Sequence, residues 1–191
     1  MSTLRTFIAV EISRAVRDKT DKLIGLLARA PATVNWVEPE NRHWTLQFLG
    51  DVEVNRTHAI CKAVAAAADG IAPFELQACG VGAFPSSDRP RTLWIGAGQG
   101  RDQMIALQQA VEASLSELGF AGERRPFHPH LTLGRAQLRK GGVDELHERI
   151  EKHAEFDAGA SMVKQAVVFS SELGRNGPVY SVLGRAPLRA L

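Results

Sequence analysis

The sequence predicts an α+β protein built from two similar halves. Three observations support this prediction. Segments typical of strands alternate with segments typical of helices, the same order of segments recurs in the second half, and one short motif occurs once in each half. The chain has 191 residues, a length that suits one domain. Because no stretch has the composition of a flexible linker, we expect a single domain over residues 1–191 made of two intertwined lobes.

In the first half, an apolar run at 6–11 predicts a buried strand. Ser13 follows as the expected N-cap of a helix at 14–29, in which Val16, Leu23 and Leu27 have helical spacing and which Pro31 ends. Further apolar runs predict the remaining segments of this half, and Gly70 marks the end of its second helix. These are strands at 34–37 and 43–49, a helix at 55–68, and strands at 74–84 and 92–95.

The second half repeats this order. A helix is predicted at 103–118, because its apolar residues form one stripe that stops before Gly119. A polar loop containing proline then leads to a strand at 130–133. The last predicted segments are a helix at 143–153 and strands at 163–169 and 178–183, the two strands joined by a Gly-rich turn at 174–177.

The composition is that of an ordinary globular protein, with 45% apolar and 23% charged residues, which excludes a disordered chain, a collagen and a coiled coil. The net charge of +2 is too small for a general electrostatic binder of nucleic acid. Of the 23 basic residues 17 are Arg. Genomic base composition alone would produce this bias toward Arg. The bias is also compatible with a phosphate-bearing partner that binds in one local cleft.

Two cysteines, Cys61 and Cys79, are too few for a disulfide framework or a four-thiolate metal site. The N-terminal segment lacks the long apolar core and cleavage site of a signal peptide. No apolar run approaches the roughly 20 residues that a membrane span needs. We therefore expect a cytoplasmic protein that does not enter a membrane. Because nothing in the sequence predicts oligomerisation, we also expect a monomer.

The motif shared by the two halves is His-x-Thr-Leu. It occurs at His43-Trp44-Thr45-Leu46 and again at His130-Leu131-Thr132-Leu133, 87 positions later. Alternate residues of a strand face the same side, so each motif presents a His and a Thr on one face and buries the residue between them. If the halves pack as a pseudo-symmetric pair, two imidazoles and two hydroxyls converge. One such motif is explained equally well by a structural histidine whose ring nitrogens are hydrogen-bonded to neighbouring residues. Two copies at matching places favour a paired site.

Two imidazoles and two hydroxyls suit the hydrolysis of a phosphodiester. Imidazole titrates near pH 6.5, so one ring of a pair can accept a proton from water while the other protonates the leaving oxygen. Hydroxyl groups can donate hydrogen bonds to the non-bridging phosphate oxygens, where negative charge grows. Such a site needs neither a metal nor a cofactor.

Five segments of the chain resemble a known family: RTFIAVEI, WVEPENRHWTLQFLG, RTLWIGA, FHPHLTLGR and VVFSSELGRNGPVYSVL. They are similar, in the same order, to the bacterial and archaeal RNA 2′,3′-cyclic phosphodiesterases, also described as 2′-5′ RNA ligases, of the two-histidine phosphoesterase superfamily. The resemblance runs from Arg5 to about Leu183. It implies a bilobal α+β fold with two pseudo-symmetric lobes, antiparallel sheets lining a central cleft, and helices on the outside.

The resemblance also implies the reaction and the roles. An RNA 2′,3′-cyclic phosphate end, or a small cyclic nucleotide, would be opened to a 2′-phosphomonoester. His43 would donate a proton to the departing 3′ oxygen, His130 would accept the proton of the attacking water, and Thr45 and Thr132 would complete the site. Two alternatives remain: ATP-independent joining of RNA ends through a 2′-5′ bond, and a non-catalytic RNA-binding module of the same fold.

Arg135 matches the Arg commonly found after the family's second motif and would bind phosphate through its two-pronged guanidinium group. Strand parity opposes this, because a regular strand would direct position 135 away from His130. A bend at Gly134 would reverse that parity. Phe48 has the same spacing from the first motif, and we expect it to pack.

Other residues near the motifs have weaker signals. His128 and His130 could chelate zinc, but no suitable set of further ligands accompanies them, so we expect no metal. Loop arginines could contact an RNA backbone or simply lie on the surface. Trp36 and Phe127 could stack on a base, although packing in the core explains both. The loop arginines are Arg89, Arg91, Arg124 and Arg125.

Overall fold

The computed structural model describes residues 2–123, 125–137, 141–174 and 177–189. Within these ranges the chain forms four α-helices, two short 3-10 helices and nine strands. The α-helices are α1 (Arg14–Leu27), α2 (Thr57–Ala68), α3 (Arg101–Ser116) and α4 (Val143–Lys152). The strands are β1 (Thr3–Glu11), β2 (Val34–Trp36), β3 (His43–Glu53), β4 (Phe74–Phe84), β5 (Thr92–Ala97), β6 (His130–Ala136), β7 (Asp157–Val163), β8 (Gln165–Gly174) and β9 (Gly177–Pro187).

All nine strands belong to one curled, antiparallel sheet. Eight of them follow the order β7-β4-β5-β6-β3-β1-β8-β9, and the short β2 pairs with β6. β3 and β6, which carry the two motifs, are therefore neighbours at the centre of the sheet. Four strands lie on each side of the boundary between them, which divides the sheet into two halves.

Helices cover the convex face of both halves. α2 packs on α3, β8 and β9, whereas α1 packs on β7 and α4 packs on β4. α1 follows β1 directly in the chain but lies on the opposite half of the sheet, so the two halves are intertwined. The main hydrophobic core fills the space between sheet and helices, and a smaller apolar cluster lies on the concave face. The smaller cluster consists of Phe7, Ala9, Val167 and Phe169, with Tyr180 packed against it.

The predicted bilobal α+β architecture is confirmed, and most segments occur where the sequence predicts them. Ser13 caps α1, since its hydroxyl oxygen accepts the Val16 backbone N–H at 3.2 Å. One strand was missed. β7 contains the weak strand formers Asp157, Gly159 and two alanines, and it pairs only with β4 at the edge of the sheet. Of the helices in the described ranges, none is long and apolar enough to cross a membrane.

Candidate active site

The two motifs meet at the centre of the sheet. Trp44 of β3 lies directly opposite Leu131 of β6, and both of these side chains are fully buried against the helices. The flanking His and Thr side chains point to the other, concave face, where all four remain partly exposed. These four residues are His43, Thr45, His130 and Thr132, which we call the His/Thr quartet.

The register of this pair gives the quartet an approximate two-fold axis. Because the middle residues of the motifs face each other, antiparallel pairing brings His43 beside Thr132 and His130 beside Thr45. The imidazoles lie diagonally across the axis, and each has a hydroxyl from the other strand as its neighbour. A group bound on the axis meets one imidazole and one hydroxyl from either side.

Both imidazoles are oriented in the same way. The Nδ1 of His43 lies 2.8 Å from the backbone oxygen of Asn41, and the Nδ1 of His130 lies 2.7 Å from the backbone oxygen of His128. A carbonyl oxygen can only accept, so each Nδ1 carries the hydrogen. This leaves Nε2 of each ring to exchange protons with a bound molecule.

Aromatic rings enclose His43. Its imidazole stacks on Phe7 with ring centroids 4.8 Å apart and meets the edge of Tyr180 at 5.4 Å. Burial among these rings lowers the pKa of His43 to about 4, partly offset by the hydrogen bond to the Asn41 carbonyl. In the free protein His43 is therefore neutral at neutral pH.

His130 has a different environment. The edge of Phe84 approaches its ring at a centroid distance of 5.0 Å. Burial lowers the pKa of His130, and the charge of Arg135 lowers it further, whereas the His128 carbonyl and the Glu123 carboxylate act in the opposite direction. The two imidazoles thus share a tautomer but differ in the charges around them.

A β-bulge follows each motif and determines where the next side chains point. In β6, Trp94 pairs with Thr132 and Leu93 with Gly134, so Leu133 is the extra residue. Leu133 and Gly134 are both buried, and Arg135 consequently returns to the face of His130 and Thr132. The parity argument against Arg135 is wrong for this reason. Its Nη1 donates to the Thr92 hydroxyl at 3.4 Å, and its charge acts on both His130 and Tyr180.

β3 has an equivalent bulge. Ala9 pairs with Thr45 and Ile8 with Gln47, which makes Leu46 the extra residue and directs Phe48 to the concave face. The expectation that Phe48 packs is therefore wrong in part: its ring centroid is 5.6 Å from that of Phe7, but 55% of Phe48 is exposed. Phe48 and Arg135 occupy equivalent positions on the two sides of the His/Thr quartet.

Two residues just before His43 attach it to the rest of the fold. The buried Arg42 side chain forms an ion pair of 2.7 Å with Asp21 of α1 and donates to the Thr20 hydroxyl and to the Val37 carbonyl, each at 3.0 Å. The side chain of Asn41 donates to the Pro178 carbonyl at 2.9 Å. The segment that leads to His43 is thereby joined both to α1 and to the β8–β9 hairpin.

The remaining candidates do not join the quartet. Trp36 and Phe127 are partly buried and pack against the core, and Trp36 lies on Gly134. His128 packs beside Trp94 with ring centroids 5.1 Å apart. Arg89, Arg91 and Arg125 are exposed, while Arg124 lies outside the described residues. Among the residues whose placement is described, no group of three or more His, Cys, Asp or Glu could hold a metal ion.

Tyr180 also contributes to the site, a role that the sequence does not predict. Its ring meets that of His43 in an edge-on contact, and burial raises the pKa of its hydroxyl while the charges of Arg135 and Arg5 lower it. Position 180 is separated from the first motif by most of the chain, so no local pattern indicates the contact. The one available signal was its place in the SELGRNGPVY segment.

The fold and the paired motifs define the class of the two-histidine phosphoesterases, and the comparisons with known proteins agree. The family model described as the 2′-5′ RNA ligase superfamily matches residues 8–173, so the chain belongs to this superfamily. The chain is 33% identical over 178 residues to the RNA 2′,3′-cyclic phosphodiesterase of Methanothermobacter thermautotrophicus, covering 93% of this chain and 95% of that protein. It is 31% identical to the protein of the same name from Thermotoga maritima, with 94% and 93% covered.

Solved structures share the whole fold. The TT0787 protein of Thermus thermophilus superposes with a TM-score of 0.80 at 26% identity and covers 97% of this chain and 98% of its own. E. coli LigT in its apo form gives a TM-score of 0.75 at 23% identity, with 98% and 99% covered. The curled sheet and its central cleft therefore occur in both of these structures.

Proposed function

We propose that this protein hydrolyses the 2′,3′-cyclic phosphate at an RNA end, or in a small cyclic nucleotide, to a 2′-phosphomonoester. The observation that carries the proposal is the two-fold arrangement of His43 and His130, each with Nδ1 bonded to the carbonyl two residues earlier and Nε2 left to react. The name shared by the M. thermautotrophicus and T. maritima relatives supports the same reaction. We further propose that residues 1–191 act as one domain, without a metal or cofactor, as a monomer in the cytoplasm.

In the proposed reaction the phosphorus lies close to the two-fold axis of the quartet. Water attacks phosphorus opposite the 3′ oxygen, its proton passes to Nε2 of His130, and the P–O3′ bond breaks. The protonated Nε2 of His43 delivers a proton to O3′. The products are a 2′-phosphomonoester and a 3′-hydroxyl. Thr45 and Thr132 donate hydrogen bonds to the two non-bridging oxygens as their charge increases.

The proton donor must be charged when it acts, although His43 is neutral in the free protein at neutral pH. The cyclic phosphodiester is an anion, and an opposite charge within about 4–6 Å favours the charged form of an imidazole. Binding of the anionic substrate thus raises the pKa of His43. His43 is then protonated and can donate this proton to O3′. His130 stays neutral, because burial lowers its pKa and the nearby guanidinium group of Arg135 adds to this effect.

Arg135 is the proposed phosphate ligand. The bulge after the second motif directs it to the concave face, and its guanidinium group can bind two phosphate oxygens at once. We infer that it binds the non-bridging oxygens of the cyclic phosphate or of the product monoester. Its removal should therefore weaken binding of the product.

Metal-independent hydrolysis is tested with a cyclic-phosphate-ended oligonucleotide in the presence of EDTA, with the product isomer identified by chromatography. We expect turnover to a 2′-phosphate that EDTA does not reduce. Absence of turnover, or its loss with the chelator, would contradict the proposal. A 5′-hydroxyl oligonucleotide added to the same assay tests the alternative of 2′-5′ joining, which the superfamily's name favours and in which the hydroxyl replaces water.

The roles of the two imidazoles are tested with a substrate that carries sulfur in place of the 3′ oxygen. A thiol has a much lower pKa than an alcohol and leaves without a proton. His43→Ala should therefore cleave the sulfur substrate at close to the wild-type rate, whereas His130→Ala should not. The opposite pattern would exchange the two roles. A module that only binds RNA would turn over neither substrate, and the complete His/Thr quartet weighs against it.

A further inference from the structure

A cavity lies beside His130, on the half of the sheet that carries the second motif. It has a volume of about 230 Å³, and Trp94, His128 and Pro129 form part of its wall. Trp94 pairs with Thr132, so the cavity borders the same concave face as the His/Thr quartet. A water molecule occupies about 30 Å³ in the liquid, so the space suits a group much larger than one water. The proposed hydrolysis makes no use of it.

A glycine keeps this space open. Gly96 pairs with His130 across the β5–β6 ladder, and the two positions therefore share the concave face. A Cβ at position 96 would lie 3.2 Å from the Cys79 carbonyl oxygen and 3.3 Å from the Trp94 ring, both of which belong to the cavity wall. Any larger residue at this position would crowd the cavity next to His130.

The cavity has a basic lining. Among the described residues that line it there are two basic side chains, those of Arg101 and His128, and no acidic one. Arg101 is exposed and begins α3. Burial lowers the pKa of His128, and the charge of Arg101 lowers it further, so the two groups lie near each other. An anion placed between them would meet both.

Two polar atoms in the wall also lack a partner. Nε1 of Trp94 and Nδ1 of His128 are shielded from solvent and form no hydrogen bond with any residue that the structure describes. A buried polar group without a partner costs free energy, which a bound oxygen atom would recover. The indole N–H and the Arg101 guanidinium group can only donate. The ligand that suits this wall is therefore an oxygen-rich anion, and a phosphate group meets that description.

The groove on the His43 side of the quartet has a different charge. Exposed carboxylates line it, and of its two guanidinium groups that of Arg42 is already paired with Asp21. The carboxylates are those of Glu11, Glu38 and Glu40. A second phosphate near the reacting phosphorus is therefore held better beside His130 than beside His43.

We propose that the cavity beside His130 is an acceptor subsite, in which Arg101 and His128 bind the first phosphate of a second RNA strand whose 5′-hydroxyl replaces water as the nucleophile. The inference rests on the proposed function, in which His130 receives the proton of the attacking group. One ribose separates this hydroxyl from that phosphate, and the cavity wall begins at Pro129, directly before His130. Because water is present in great excess, a hydroxyl group competes with it only when it is held beside the phosphorus.

The joining step has the same geometry as the proposed hydrolysis. O5′ of the second strand attacks phosphorus opposite O3′, its proton passes to Nε2 of His130, and the P–O3′ bond breaks. Nε2 of His43 gives its proton to O3′. The products are a 2′-5′ phosphodiester and a free 3′-hydroxyl, so the step needs no reactant besides the two RNA ends.

The test compares acceptors that have and lack this phosphate. The donor is an oligonucleotide that ends in a cyclic phosphate, and the acceptors are the dinucleoside monophosphate ApA and adenosine, each with a free 5′-hydroxyl. The variants are Arg101→Gln and Arg101→Lys. Arg14→Gln is the matched control, because it removes the same charge from a side chain that is 89% exposed on α1. Circular dichroism verifies that each variant is folded.

For Arg101→Gln we expect the KM of ApA in the joining reaction to rise about tenfold, the loss of one charge-assisted hydrogen bond at the weak end of its range. The KM of adenosine and the hydrolysis of the donor should not change. Arg101→Lys should retain most of the affinity for ApA, and Arg14→Gln should match the wild type. An unchanged KM for ApA, or an equal rise for both acceptors, would overturn the proposal.

The same assay separates this proposal from the proposed function. Hydrolysis of the donor without any joining of ApA would overturn the acceptor subsite and leave the proposed function intact. If the wild type neither hydrolyses nor joins, the proposed function fails, and calorimetry with ApA and adenosine tests the subsite. We then expect Arg101→Gln to weaken ApA binding by a similar factor and to leave adenosine binding unchanged. Equal ApA affinities of the wild type and the variant would contradict the subsite.

Discussion

Protonation of His43 should destabilise the folded protein. The unfolded imidazole titrates near pH 6.5 and the folded one near 4, because the rings of Phe7 and Tyr180 replace water around it. Above pH 6.5 the ring is neutral in both states and has no effect. As the pH falls below 6.5, the unfolded chain binds a proton that the folded chain does not, so stability declines until pH 4, where the folded ring also becomes charged.

The size of the effect follows from this difference in pKa. With a pKa of about 6.5 in the unfolded chain and about 4 in the folded protein, the loss amounts to about 3 kcal/mol when both states are charged. Between pH 7.5 and pH 5 the same relation gives about 2 kcal/mol. His43→Gln, which does not titrate, should lack this part of the decline while keeping the contribution of every other group.

The assay is urea unfolding of the wild type and of His43→Gln at several pH values between 7.5 and 4.5, followed by the fluorescence of the three tryptophans. We expect the wild type to lose about 2 kcal/mol more than the variant between pH 7.5 and 5. His58→Gln, at an exposed position of α2, is the control and should behave as the wild type. Parallel curves for the wild type and His43→Gln, within about 0.5 kcal/mol, would refute the account of His43 burial.

Three further predictions concern groups around the imidazoles. Asp21→Asn should lower the free energy of unfolding by about 1–3 kcal/mol in urea titrations, because the buried Arg42 guanidinium group loses its countercharge. Gly134→Ala should cost about 1–3 kcal/mol and reduce turnover, since the added methyl group lies 2.8 Å from Trp36 and disturbs the bulge that directs the next side chain to the cleft. Thr132→Val should lower kcat by about 10²–10³-fold in steady-state assays, and Thr132→Ser should retain most of it.

Matched variants make these predictions specific. Asp18→Asn removes an exposed partner 3.9 Å from Arg14 and should change stability by less than about 0.5 kcal/mol. Gly25→Ala, in α1 with open space at the added methyl group, should be neutral or stabilising. If Asp18→Asn lowered the free energy of unfolding as much as Asp21→Asn, burial of Arg42 would not explain the effect of Asp21. Wild-type turnover of Gly134→Ala would show that the bulge does not control the site, and normal kcat for Thr132→Val would exclude its hydroxyl from the reaction.

Local patterns in the sequence were sufficient for much of the fold. The Ser13 cap, the apolar stripes of the helices and the period-two alternation of His43-Trp44-Thr45-Leu46 are effects of neighbouring residues, and the structure contains all of them. β7 was not predicted because its stability comes from pairing with β4 and from packing against α1. A segment containing Asp157 and Gly159 has little preference of its own for a strand.

The site was predictable where the motif is regular, and uncertain where the strand departs from regularity. The repeated motif indicates that His43 and His130 share a face, but the parity of Arg135 depends on whether a bulge follows Thr132. A bulge forms where one strand has an extra residue relative to its partner. Its position therefore depends on both strands together. The same reason explains why Phe48 was expected to pack and instead lies open on the concave face.

The environment of each imidazole depends on contacts that are distant in the sequence. His43 lies against Phe7 and Tyr180, and the three residues come from β3, β1 and β9. The lowered pKa of His43 follows from these contacts, not from the motif. The motif thus identifies the pair, while the curled sheet determines how the two members differ.

The most direct test of paired acid–base catalysis is the single-turnover rate on a cyclic-phosphate-ended oligonucleotide for His43→Ala, His130→Ala and the double variant. Each single variant should lose about 10²–10⁴-fold, and the double variant should lose little more, because both proton transfers belong to one step. His58→Ala should match the wild type. A folded His43→Ala or His130→Ala that keeps a rate within tenfold of the wild type would contradict the paired mechanism.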